Sequence, residues 1–193
     1  MRNREKATYH ARREAVLAVA RDLFAERGYR ATTVRDIADA SGVLSGSLYH
    51  YFDSKETLID EMLSSYLDEL ILVYRGAVAE GGDAQSMLAR LVAAAFAALD
   101  RHRAAGLVLH SERHHLARLP RFAHLVEREA EIEHIWSAVI ERGKTSGELR
   151  PDIDERLTYR FVRDGVCAAA RWSRPATELA GQFQALLLDG LRG

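Results

Sequence analysis

Cysteine is nearly absent: Cys167 is the only one in 193 residues, so no internal disulfide can form and a reducing, cytoplasmic setting is expected. Proline is scarce, and Pro120, Pro151 and Pro175 all fit helix boundaries. Alternating β-branched runs and internal repeats are missing, which excludes a sheet-based or solenoid fold. The longest strongly apolar run, 91–99, is too short to span a bilayer, and no charged-then-apolar leader opens the chain, so no membrane partner is expected. No phosphate loop, nucleophile elbow or carboxylate pair marked by spacing occurs, which argues against an enzyme or a bound cofactor. Excess charge is lacking too: a formal net charge of -1 argues against a protein that coats nucleic acid generally. Positive charge is nevertheless concentrated near the start, where Arg2, Arg4, Lys6, Arg12 and Arg13 face only Glu5 before Glu14. A solvated, partly disordered arm and a phosphate-touching one are both open.

What is present is helical periodicity. Val16, Ala20, Leu23 and Phe24 predict a helix over 10–27, closed by Gly28. Within 33–52, Val34, Ile37 and Ala38 share one face of a short helix that Thr33 caps with Asp36 three residues on. Gly42 suits a left-handed turn, and Ser45 is placed to cap a second short helix over 45–51 that buries Leu48. Two capped helices at this spacing make a helix-turn-helix. The second presents Ser47, Tyr49, His50 and the bare backbone of Gly46, with no formal charge, so it reads with small donors, hydroxyls and rings.

Asp53 and Glu56 frame the start of a further helix that carries a stripe from Leu58 to about Tyr74 and links the reader to the rest. Gly81 and Gly82 make the clearest break. Helices follow over about 84–103, 106–119, 121–143, 153–173 (capped by Asp152) and 176–191. The architecture expected is all-α, with a three-helix DNA-binding domain over 1–56 and a helical ligand-binding and dimerisation domain over 57–193. The last two helices carry surplus apolar surface at Ala169, Leu179, Phe183, Leu186 and Leu187, which either pairs with a second copy or completes the monomer core. Tyr159, Arg163, Cys167 and Arg171 fall at four-residue steps on one stripe: two guanidiniums that either clamp the phosphates of an elongated anion, with Trp172, Arg160 and Arg174 assisting, or form ordinary ion pairs with Asp164 or Glu155. His110 and His114 have a metal-compatible spacing but no supporting context.

Gly28, Thr32-Thr33-Val34, Ile37-Ala38, Ala40-Ser41-Gly42-Val43, Leu48-Tyr49, Tyr51-Phe52 and Ser54-Lys55-Glu56 closely resemble the signature of the TetR family of bacterial transcriptional repressors. The resemblance implies a homodimer on palindromic double-stranded operator DNA, released by a small-molecule effector. It implies DNA contacts from Thr33, Leu44, Ser45, Gly46, Ser47, Tyr49, His50 and Lys55, the last to a phosphate. The strings at 30–39, 44–50, 159–164 and 170–175 look like the actinobacterial members that regulate cholesterol ring degradation, whose implied effectors are coenzyme A thioesters. On that likeness Arg163 and Arg171 hold the coenzyme A portion, and the acyl end lies among Phe96, Leu99, Leu109 and Trp136. Cys167 is a departure, because the likeness leads one to expect tryptophan there. A fatty acyl-CoA or a hydrophobic drug is the alternative effector.

Overall fold

From residue 2 to residue 27 the chain holds neither glycine nor proline and is rich in alanine, arginine and glutamate, so nothing interrupts a helix. In the computed structural model, which describes residues 2–171 and 176–192 and side chains within 6–171 and 177–192, α1 accordingly spans Arg2–Arg27. The basic stretch is therefore part of this helix rather than an arm ahead of residue 10. Gly28 ends α1 at φ 82°. Then come α2 (Val34–Ala40), α3 (Ser45–Leu48), α4 (Lys55–Ala79), α5 (Ala84–Arg101) and α6 (Arg103–Leu116). A single 3-10 turn at Pro120–Phe122 precedes α7 (Ala123–Ser146), and α8 (Glu155–Ala169) and α9 (Ala176–Leu191) complete an all-helical architecture among the described residues.

Several starts differ from the sequence expectation, for local reasons. α3 is capped by Leu44 with no side-chain bond, and Ser45 is already its first helical residue. Ser54, not Asp53, caps α4 by accepting from the Thr57 N–H. Asp154, not Asp152, caps α8 by accepting from the Leu157 N–H at 2.7 Å, because Asp152 is held by Arg150 at 2.8 Å. α4 also runs past Tyr74 to Ala79, since no breaker intervenes before Gly81 and Gly82.

α4 is the central helix. Leu58, Ile59, Met62 and Leu63 are buried in its first half and Leu70, Tyr74 and Ala77 farther along, and α1, α5, α6 and α7 all pack on it. α9 lies on α5, and α8 lies on α7. Gly165 of α8 admits the ring of Phe183, whose edge would stand 2.7 Å from any Cβ there. α1 also packs on α6, so both α4 and α6 touch the N-terminal helices.

The corner that sets α2 is polar and closed. Thr32 is fully buried, and its hydroxyl donates to the Gly28 carbonyl at 2.8 Å, satisfying one of the last acceptors of α1. Lys55 reaches back from α4, and its ammonium donates to the Tyr29 and Thr32 carbonyls, both at 2.9 Å, while lying 4.2 Å from the Tyr29 ring centre. Arg13 forks onto Glu61 (Nη1 to Oε1, 2.7 Å) over the ring of Phe52, fixing α1 to α4. Thr32→Val keeps the shape but leaves the Gly28 carbonyl unpaired, which should cost about 1–3 kcal/mol. Urea unfolding checks this, and a midpoint equal to that of the wild type would show that the hydroxyl does not hold the corner.

Candidate functional site

The reading element is built by the α1–α4 frame. Thr33 caps α2 in a reciprocal box: its Oγ1 accepts from the Asp36 N–H at 3.1 Å and its N–H donates to Asp36 Oδ2 at 2.7 Å. The Thr33 hydroxyl, which also donates to Asp36 Oδ2 at 2.6 Å, and then the Thr33 N–H hold the Asp36 carboxyl below its ordinary range. Gly42 turns the chain at φ 66°, and Leu48, fully buried, anchors α3 against the core. With Leu48 inside, Leu44, Ser45, Gly46, Tyr49 and His50 are exposed, and Ser47 is half-buried. No atom lies within 4 Å of where a Gly46 Cβ would stand, so the backbone there is open to a close approach. Tyr9 of α1 braces the turn after α3, donating to the His50 carbonyl at 3.0 Å and stacking on Tyr51 at 5.2 Å. Lys55, expected at a phosphate, has two of its three N–H groups committed to the corner, which leaves one for any such contact.

A second site opens between α4, α6, α7 and α8. Leu70 and Leu109 give it apolar walls, and Trp136 meets Tyr74 edge-on at 5.7 Å and Tyr159 at 6.2 Å. Burial drives the Tyr66, Tyr74 and Tyr159 hydroxyls upward, so all three are neutral, and it pushes the Cys167 thiol up to about 11, so that the thiol is neither a nucleophile nor a metal ligand at neutral pH. The cleft is narrow, with a cavity volume of about 40 Å³.

Of the expected ligand contacts, Leu109, Trp136, Arg163 and Cys167 line this cleft. Phe96 and Leu99 do not. Phe96 is packed against Phe183 at 5.4 Å between α5 and α9, and Leu99 is buried against Gly106. Arg171 also falls outside the lining and is exposed, because α8 ends at Ala169 and the four-residue register ends with it. Its charge still reaches His110, whose imidazole is held below its ordinary value, chiefly by burial. Trp172 and Arg174 lie outside the described residues. Arg163 is half-buried, donates to Asp164 at 2.9 Å and lies 5.7 Å from the Tyr159 ring.

Sequence reasoning missed Arg113 of α6 and Glu129 of α7, which meet in the cleft at 2.8 Å with side chains only 18% accessible. No spacing within one helix relates them, so nothing short of the fold brings them together. Burial raises the Glu129 carboxyl, against the pull of Arg113 and Arg163. Among the described residues no group of three His, Cys, Asp or Glu is placed to hold a metal.

The surplus apolar face also divides differently. Ala169 and Leu187 are core residues, and Leu179 and Phe183 are half-buried against the same core. Leu186 points outward, and with Leu157 and Phe161, each at least two-thirds exposed, it borders an open groove between α8 and α9. The helical phase explains this: α9 lies flat on α5, so the inner part of its leucine stripe is used within the monomer.

Because the folded state favours the protonated Glu129, wild type gains stability from this group as pH falls through its raised pKa. Glu129→Gln should therefore be at least as stable as wild type at pH 7, with its advantage shrinking as pH falls toward 4.5. Thermal melts across pH check the sign, and a variant that is less stable at pH 7 than wild type would reverse it.

Residues 16–62 match the family model described as bacterial regulatory proteins, tetR family, and residues 81–191 match the tetracyclin repressor-like C-terminal domain. The chain is 46% identical over 185 residues to the transcriptional repressor KstR2 of Rhodococcus jostii, covering 93% of this chain and 91% of that one. It is 41% identical over 187 residues to KstR2 of Mycobacterium tuberculosis, covering 94% of each. The solved structure of the ketosteroid transcriptional regulator KstR2 of Mycobacterium tuberculosis superposes with a TM-score of 0.88, over 94% of this chain and 95% of that one. The chain belongs to the TetR family, as a helix-turn-helix transcriptional repressor homologous to KstR2 and not an enzyme.

Proposed function

We propose that the chain is a cytoplasmic, ligand-released repressor whose residues 1–56 read a palindromic operator as a dimer, and whose residues 57–193 bind a coenzyme A thioester of a steroid-ring degradation intermediate. The observation that carries the effector half is the charge of the cleft. Arg113 and Arg163 outnumber Glu129 among mostly aromatic and aliphatic walls, an arrangement that suits a ligand with an apolar body and anionic or strongly accepting groups. A purely apolar drug would make no use of these guanidiniums, which Glu129 and Asp164 already pair, whereas an anionic ligand adds acceptors for their remaining N–H groups. The relatives named as ketosteroid regulators support the steroid part. With Cys167 in the wall the thiol contributes little stacking surface, so the grip falls on Trp136, Tyr159 and the arginines.

Small-molecule sites measure about 300–1,000 Å³, so a ligand of this size must part α8 from α6 and α7. Because α4 lines the cleft with Tyr66 and Tyr74 and begins at Lys55 beside the reader, such a parting acts on the reader directly. Dimerisation through Leu157, Phe161 and Leu186 sets two readers on one side of the DNA, and half-sites about one turn, roughly 34 Å, apart then match the two-fold axis.

A mobility shift on the DNA upstream of the protein's own gene tests both halves. Wild type should retard the duplex, and a ring-derived coenzyme A thioester should release it while free coenzyme A does not. Arg163→Ala should keep its DNA affinity but need roughly tenfold or more thioester, the worth of a charge-assisted hydrogen bond; an unchanged dose response would remove Arg163 from the site. Phe161→Arg should halve the mass seen by light scattering and abolish the shift, and a variant that stays dimeric would place the interface elsewhere.

A further inference from the structure

Leu44 caps α3 without a side-chain bond, as His102 and Phe122 do at α6 and α7, but His102 is half-buried and Phe122 buried, whereas Leu44 is exposed. The caps of α2, α4, α5 and α8 are Thr33, Ser54, Asp83 and Asp154, each accepting a backbone N–H through its side chain. At α3 the same place, in the same extended geometry (φ -67°, ψ 141°), holds a leucine that makes no such bond. Nor does Leu44 pack inward. It is 80% exposed, the highest value among the large apolar side chains described, whereas Leu48 on the same helix is fully buried. Local stability is thus given up twice at one residue, by omitting the cap and by leaving an isobutyl group in water.

The neighbouring side chains narrow what that group meets. From Leu44 to Tyr51 there is no arginine or lysine to fork onto guanine, no asparagine or glutamine for adenine, and no carboxylate for the cytosine amine. The exposed surface beside Leu44 consists of Ser45, Gly46, Tyr49 and His50. The first residues of a reading helix are those that reach base edges in the major groove. Leucine neither donates nor accepts, and the one apolar feature on any base edge in that groove is the thymine C5 methyl.

We propose that Leu44 is a specificity-determining residue that reads the C5 methyl of one thymine in each operator half-site. This rests on the operator-binding reading above and deepens it. At that position the protein senses the methyl group rather than the hydrogen-bonding pattern of the pair, because the contact is by apolar burial alone.

The experiment starts from duplexes that wild-type protein selects out of a random pool. Each thymine of the winning site is then replaced by uracil, which removes the methyl and keeps the pairing. One thymine per half-site should show a loss of about fourfold for wild type, the worth of one buried methyl, and no loss for Leu44→Ala. At the same position 5-methylcytosine paired with guanine should bind wild type better than cytosine paired with guanine by a similar factor. Leu44→Val, shorter by one carbon, should show a reduced uracil penalty, which keeps the comparison measurable if the alanine variant binds too weakly. Uracil penalties that are the same for wild type and the Leu44 variants at every position would overturn the proposal while leaving operator binding intact. A pool that yields no enriched duplex would overturn both.

Discussion

One 25-residue helix has to be buried near both ends at once, and the other elements are arranged to do that. At about 1.5 Å per residue, α4 spans the distance from the corner of the reader to the middle of the second domain. Its buried set begins at Leu58 beside α1 and ends at Ala77 beyond the cleft. Each such side chain contributes about 1.5–3 kcal/mol, against roughly 0.2–1 kcal/mol for an exposed ion pair. Apolar burial therefore fixes where α4 lies. Pairs along its surface, Arg128 of α7 with Asp68 at 2.5 Å and Arg121 of the preceding 3-10 turn with the Thr57 hydroxyl at 2.9 Å, tie that segment to it.

Charge is used differently at the two sites. α3 and the turn after it carry none, and Arg13 and Lys55 of the surrounding frame are turned inward to Glu61 and to the Tyr29 and Thr32 carbonyls, while Arg35 of α2 stays exposed. On the proposed reading, sequence discrimination falls to hydroxyls, rings and one leucine. The cleft concentrates Arg113, Arg163 and Glu129 among aromatic walls, where lower polarity strengthens every electrostatic contact and makes an unpartnered charge expensive. A buried ion pair is weak evidence for stability, and the raised Glu129 carboxyl shows that this one is not optimised for it.

What could be read from the sequence follows the range of each interaction. The capping box at Thr33, the left-handed Gly42 and the 3.6-residue stripes are local, and they appear in the structure as expected. Leu109, Trp136, Arg163 and Cys167 reach the cleft because they lie on the inner stripes of long helices. Phe96 and Leu99 have the same pattern and are equally buried, but they face α9 and Gly106; periodicity gives burial without saying against what. Arg113 and Glu129 were illegible because a charged residue on a helix reads as solvent-facing until its neighbours are known. The expected α3 cap is one residue late: Leu44 holds the extended cap geometry and Ser45 is already helical, a shift that the serine-based pattern does not reveal.

The coupling proposed between the two sites has a modest energetic requirement. To swing a two-state equilibrium from 1:99 to 99:1, a ligand must prefer one state by about 5.5 kcal/mol. Two charge-assisted hydrogen bonds to Arg113 and Arg163, at about 1.5–3 kcal/mol each, supply most of that if they form only when α8 has parted from α6. Apolar area gained along Trp136 and Tyr159, at about 25 cal/mol per Å², supplies the rest with roughly 100 Å². The parting is not absorbed locally. α6 packs on α1 and α4 is pinned to the reader through Lys55 and through Glu61 on Arg13, so both walls of the cleft end in contacts with the DNA-reading part. On the proposed reading, a ligand that enters without displacing either wall gains nothing from the differential terms, so a narrow cleft is what would tie occupancy to the position of α3.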